Sequence, residues 1–173
     1  AIEGGGSNEP TGITQTSGIG SVAIGTNGGA PTWASVTALV KEVEQDNVAL
    51  SNSQAFLTNP KVKHKLAGTA KVGSSDSVMG LDAPWNELYG YPMGITTHVP
   101  SDLTKGSTSG TCSAMIFGDF AQMMIGFWSA TDVLVDPYTG GPQGNIRILV
   151  HQDLDVAIRH AQSFAACLDY TTT

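Results

Sequence analysis

The sequence predicts a mixed α+β fold in which strands outweigh helices, and three observations carry that expectation. Glycine-rich punctuation fills the chain before Thr32, in GGGSNEPTG, SGIGS and GTNGGAP, which suits turns and short extended pieces. A single long amphipathic stripe follows, with Val36, Leu39, Val40, Val43 and Asn47 at helical spacing. Towards the C-terminus the period drops to two: Ile146, Ile148, Val150, Leu154, Val156 and Ile158 alternate with Arg147, His151, Asp153, Asp155 and Arg159. No strand–helix–strand alternation appears, so a doubly wound parallel sheet is excluded.

Each element has its own warrant. In AIEGGGSNEPTGIT the glycines predict a tight turn, with Pro10 fixing φ and Gly12 free to take φ > 0. Thr32 is placed to cap a helix running to Leu50, with Lys41, Glu42, Glu44, Gln45 and Asp46 turned outward. Ala55–Thr58 is a short buried strand running straight into a two-turn helix, with Asn59 as N-cap, Pro60 in the first turn and Gly68 as C-cap. TAKVGSSDSVMGLDAPWNELYG reads as loop, Tyr89–Pro100 as an extended segment, and SDLTKGSTSGT as a polar loop. SAMIFGDF, MMIGFW and DVLVDP are apolar strand candidates. The even positions 146–158, continued by Phe164, Ala166 and Leu168, predict long strands with that face buried.

Composition narrows the function. The chain of 173 residues allows one domain with a proper core. Only 13% of residues are charged, about half the usual share of ~25%, as expected of a surface that largely faces other protein. A net charge of −7 argues against binding nucleic acid through clustered cations. Lys61, Lys63 and Lys65 read as a solvated helix face. Cys112 and Cys167 stand in no metal spacing and read as two buried thiols in a reducing compartment. No apolar run approaches the roughly 20 residues of a membrane span, and no leader is expected.

The candidate chemistry is sparse. GIGSVA has the G-x-G-x-x-A spacing, but Ile24-Gly25-Thr26-Asn27-Gly28-Gly29 follows it and offers no helix to meet a pyrophosphate. GGGSNEPTG lacks the Lys-Ser/Thr pair of a phosphate loop. His151, Asp153 and Asp155 share a strand face, with His160 on the other, and leave open a metal-assisted hydrolase. An exposed polar face paired with a neighbouring strand is the simpler reading of those three. No catalytic, cofactor-binding or metal-binding residue, and no cofactor, is assigned.

The order of segments, more than any one of them, resembles the major capsid proteins of tailed bacteriophages, whose fold encapsulin shells share. The residues that carry it are AIEGGGSNEPTGI, the helix from Ala34 to Leu50 followed by AFLTNPKVKHKLAG, LYGYPMGITTHVP, SAMIFGDFAQMMIGFWSATDVLVDP with its Gly-Asp-Phe, and NIRILVHQDLDVAIRHAQSFAACL. The resemblance implies a C-terminal portion of such a subunit, with an axial lobe of sheet and flanking helices and part of a peripheral lobe of long antiparallel strands. On that basis residues 1–29 and 137–173 would be peripheral and 30–136 axial. It further implies a non-enzymatic, self-assembling shell subunit forming pentamers and hexamers around viral DNA. Scaffolding or portal proteins would be partners, with no membrane and no sequence-specific nucleic acid. Its location would be the virion, after assembly in the bacterial host cytoplasm. An encapsulin-type nanocompartment shell is the related alternative, and a secreted β-rich binding module an unrelated one. The family's arm, extended loop and spine helix would lie before Ala1.

Overall fold

The computed structural model describes residues 2–46, 53–70, 87–139 and 144–172. Its elements in chain order are β1 (Gly20–Ser21), α1 (Trp33–Glu44), β2 (Gln54–Thr58), α2 (Pro60–Ala67), β3 (Glu87–Leu88), β4 (Tyr91–Ile95), β5 (Leu103–Lys105), β6 (Thr108–Asp119), β7 (Met123–Phe127), β8 (Asp132–Asp136), β9 (Arg147–His151), β10 (Leu154–Ile158) and β11 (Phe164–Thr171). Seven strands form one mixed sheet ordered β1-β11-β6-β2-β4-β3, with β5 also paired to β6. The other four leave that sheet as two antiparallel pairs, β7–β10 and β8–β9.

Local sequence explains both helices. Thr32 and Ser35 form a reciprocal capping box at the start of α1, and the Val36, Leu39, Val40 and Val43 stripe is fully inside. α1 ends at Glu44 with Gln45 as its C-cap, short of the end at Leu50 that the apolar stripe predicts; residues 47–50 lie outside the described residues. Asn59 accepts the Val62 amide at 3.0 Å and Pro60 opens α2, which ends at Gly68 as the sequence predicts. Lys61 and His64 are exposed while Val62 and Leu66 point inward.

Apolar residues separate onto the two faces of the sheet. Phe56, Met115, Phe117, Ala165, Cys167 and Tyr170 meet the stripes of α1 and α2 in the larger core. On the opposite face Ile13, Ile116, Phe164 and Ala166 form a second cluster, closed by Ile2, Ile19, Leu57, Phe120, Met123 and Ile158. β6 and β11 are therefore buried on both sides through their centres, which explains continuous apolar runs where alternation would mark a half-buried strand.

Several expectations are corrected. Gly12 has φ −78°, so it does not occupy the left-handed region; Gly6 and Asn8 do. Gly12 is instead a close-approach site, where a Cβ would sit 2.4 Å from the Ile2 carbonyl group. The opening segment folds back on itself, with the Gly12 amide donating to the Gly4 carbonyl at 2.7 Å. The polar stretch SDLTKGSTSGT is a hairpin of β5 with β6, and Glu87–Leu88 pairs with β4. Residues 71–86 of the expected loop lie outside the described residues.

The C-terminal parity also needs revision. A bulge between Cys167 and Tyr170 shifts the register, so Leu168 turns outward while Ala165 and Cys167 are buried beside Phe164 and Ala166. The even face of β9 and β10 is apolar as expected but mostly uncovered: Ile148 and Val150 are 64% and 61% exposed, and only Val156 is buried. β11 lies in the main sheet, and the chain leaves and rejoins that sheet near the 3-10 turns Phe120–Gln122 and Ala161–Ser163.

Candidate assembly surface

Four strands build a two-stranded arm. Met123–Phe127 pair with Leu154–Ile158, and Asp132–Asp136 pair with Arg147–His151, in antiparallel register. Between the two ladders four residues of the outgoing strand, 128–131, face two of the returning strand, 152–153. The Trp128 amide bridges this gap by donating to the Asp153 carbonyl at 3.1 Å. Unequal lengths of this kind bend and twist a ribbon.

Register decides which residues share a face. Directly opposed side chains lie on the same side, so Val133 joins Val150 and Val135 joins Ile148. Near the sheet Phe127 joins Leu154, Ile125 joins Val156 and Met123 joins Ile158. One side of each ladder is thus entirely apolar. The other side of the outer ladder carries Asp132 opposite His151, Leu134 opposite Leu149 and Asp136 opposite Arg147. The Asp136 carboxylate opposite the Arg147 guanidinium favours this register, and a one-residue slip would separate them and turn the apolar row over.

The apolar side is covered only at its base. Met123 and Ile158 pack against the second core cluster, and Val156 is buried beside them. Beyond them Phe127, Val133, Val135, Ile148 and Val150 stay between 56% and 64% exposed. Trp128 and Tyr138 are more exposed still. A row of this size in water is costly, and contiguous exposed apolar surface marks a contact site.

The remaining candidates fall elsewhere. His151 ends β9, Asp153 lies in the short connection and Asp155 is in β10. All three are exposed, and the Asp155 carboxylate accepts the Val156 amide at 2.7 Å. His160 sits at the return to the sheet, its Nδ1 2.8 Å from the Ser163 hydroxyl. Among the described residues no group of three or more His, Cys, Asp or Glu is placed to hold a metal ion. GIGSVA places Gly20 in β1 beside Ala165 of β11, with no helix at its end.

Cys112 and Cys167 are free and buried. Burial and the neighbouring Asp169 carboxylate push the Cys167 thiol well above its ordinary range. Its Sγ donates to Asp169 at 3.0 Å. No described helix is long and apolar enough to cross a membrane.

The outgoing half of the apolar row, Met123, Ile125, Phe127, Val133 and Val135, stands at odd positions of runs that also carry Met124, Trp128 and Leu134 at even ones, so parity alone does not single it out. What the sequence does not show is that this row and the even row of the return strand share a face. That follows from pairing across 10 or more intervening residues, from Asp136 with Arg147 out to Met123 with Ile158, and so from register alone.

Solved structures share this fold. The capsid chain of the native GTA particle superposes with a TM-score of 0.71 at 19% identity, covering 98% of this chain and 59% of its own. The SrpI encapsulin of Synechococcus elongatus PCC 7942 gives 0.61 at 16% identity, covering 94% of this chain and 57% of its own. A major capsid protein of Halomonas phage phiHAP-1 is 27% identical over 160 residues, which is 91% of this chain and 23% of that protein. The chain thus spans under a quarter of the length of that curated relative. A family model described as the phage capsid family matches residues 1–167, and the chain belongs to that family.

Proposed function

We propose that this chain is the folded core of a phage shell subunit, a structural protein without a catalytic role, which self-assembles into pentamers and hexamers that enclose viral DNA. The observation that carries this reading is the apolar side of the arm, left open from Phe127 to Val150. A surface poor in charge agrees with it, since most of a shell subunit faces its neighbours. Assembly in the bacterial host cytoplasm and contact with scaffolding or portal proteins belong to the same proposal. The family match and the Halomonas phage relative favour a phage shell over a cargo-enclosing compartment.

The geometry supports a two-lobed subunit with a different boundary from the one expected. One lobe is the seven-stranded sheet with both helices, including β11, and the other contains the arm from Met123 to Ile158. The test is Ile148→Glu, which places a charge on the open row at a position that is already solvated. Electron microscopy of the full-length protein should show shells of uniform diameter for the parent and unassembled subunits for the variant. Their circular dichroism and melting should match. Shells from Ile148→Glu, or none from the parent under any assembly condition, would overturn the proposal.

A further inference from the structure

The arm leaves the sheet and returns to it through two short 3-10 turns, Phe120–Gln122 and Ala161–Ser163, which the same few residues tie together. Gly118 pairs with Phe164 in the sheet. A Cβ there would lie 2.5 Å from the Ser163 carbonyl oxygen and 2.4 Å from the Phe164 ring. Bare backbone at 118 is what lets the second turn close on the first. Phe120 then packs edge-on against Phe164, ring centroids 5.6 Å apart.

The polar partners form a relay. The Asp119 carboxylate is 3% exposed. It accepts from the Ser53 hydroxyl at 2.5 Å, the Ala121 amide at 3.1 Å and the Gln122 side-chain amide at 3.1 Å. The Gln122 side-chain oxygen in turn accepts from Arg159 Nε at 3.1 Å, and its backbone carbonyl accepts the Arg159 amide at 3.0 Å. Body, outgoing strand and return strand are therefore linked through one side chain.

The geometry points to a latch in which Gln122, held by buried Asp119 and holding Arg159, sets the angle at which the arm leaves the sheet. Gln122 is a positioning residue, and its amide is needed at both ends. A glutamate would lose the donor to Asp119, and a lysine would lose the acceptor for Arg159. Bending the arm about the paired turns requires breaking this relay. Because the arm bears the open apolar row, the latch decides where that row is presented, a consequence that rests on the assembly reading above.

The test is a pulsed electron paramagnetic resonance distance measurement on the unassembled, soluble chain. Spin labels go on Lys41→Cys in α1 and Leu134→Cys in β8, both exposed, while the native thiols are buried. The parent should give one narrow distance. Gln122→Met, of similar length but without the amide, should widen the distribution and displace its mean by several ångströms, with near-ultraviolet circular dichroism and melting unchanged. Ser163→Ala, which removes the His160 contact outside the relay, should leave the distribution as it was. An unmoved distribution in both Gln122→Met and Gln122→Ala overturns the latch. So does an equal widening in Ser163→Ala, which would indicate general loosening. The readout needs no shell, so its outcome is separate from that of Ile148→Glu.

Discussion

Gly118, Asp119 and Phe120 show how three adjacent residues can each meet a different demand at one junction. The glycine admits a neighbouring carbonyl, the aspartate caps the turn, and the phenylalanine fills the space beneath it. Gly118→Ala should destabilise the protein by roughly 1–3 kcal/mol, as overpacked sites do, read as a lower denaturant midpoint. An unchanged midpoint would mean that the Ser163 carbonyl moves aside freely. A second buried junction lies at the β11 bulge. There Asp169 accepts the Ile24 amide at 3.0 Å and the Cys167 thiol at 3.0 Å, with Lys105 Nζ 3.9 Å away.

Burial and Asp169 raise the Cys167 value above that of an unfolded thiol, and burial raises Tyr170 in the same direction. Both groups are neutral when protonated, so their contribution to stability is complete below the unfolded values. It declines as pH rises past the ordinary thiol value of 9.0, where only the unfolded chain ionises. The unfolding midpoint should therefore fall on the alkaline side. Native Cys167 should also resist thiol reagents at mildly alkaline pH and react once denaturant is added. Rapid modification of the folded chain would contradict this.

Strands and helices differ in how far local sequence specified them. The start of α1 and both ends of α2 were legible to the cap, because Thr32, Asn59, Pro60 and Gly68 act on backbone groups within a turn; the end of α1 at Glu44, which no Gly or Pro marks, was not. β5 and β3 were not, since a short polar strand becomes one only when a partner edge is offered. At the arm tip Asp136 closes the turn by accepting the Thr139 hydroxyl and the amides of Tyr138 and Thr139. These bonds, the Thr139 hydroxyl foremost, hold its carboxyl below the usual aspartate range. The turn is thus fully capped above the ordinary aspartate value and is lost as pH falls through the lower, folded value. The Tyr138 and Thr139 amide resonances should titrate together with a midpoint below 3.8, the value for free aspartate. Asp136→Asn should abolish that titration, whereas a midpoint at the ordinary value would show that the cap is not formed.

Taken whole, the molecule is a closed body with a ribbon attached at one place. The main sheet pairs its seven strands without using β7 to β10, and among the described residues of the arm and its base only Phe120, Met123 and Ile158 enter a core cluster. Joining Met123 to Ile158 through an Asn-Gly turn should therefore leave a folded body. Those residues already pair across the ladder, and Asn-Gly suits a two-residue hairpin connection. Its melting temperature should stay within a few degrees of the parent, while shell formation is lost. A collapse to an unfolded chain would show that the arm is part of the core.

The division between what the sequence by itself determined and what tertiary structure decided follows the range of the interactions. Alternation from Ile146 to Ile158 determined that these side chains share a side of a strand, because the period of two is a property of extended backbone. Helical spacing and caps determined α1 and α2 on the same local terms. The order of segments sufficed to suggest the family. Whether the alternating face meets a core was settled by pairing with β7 and β8, which carries the strand away from the sheet and leaves Ile148 and Val150 open. Coverage of a face is a long-range quantity, and no local period encodes it.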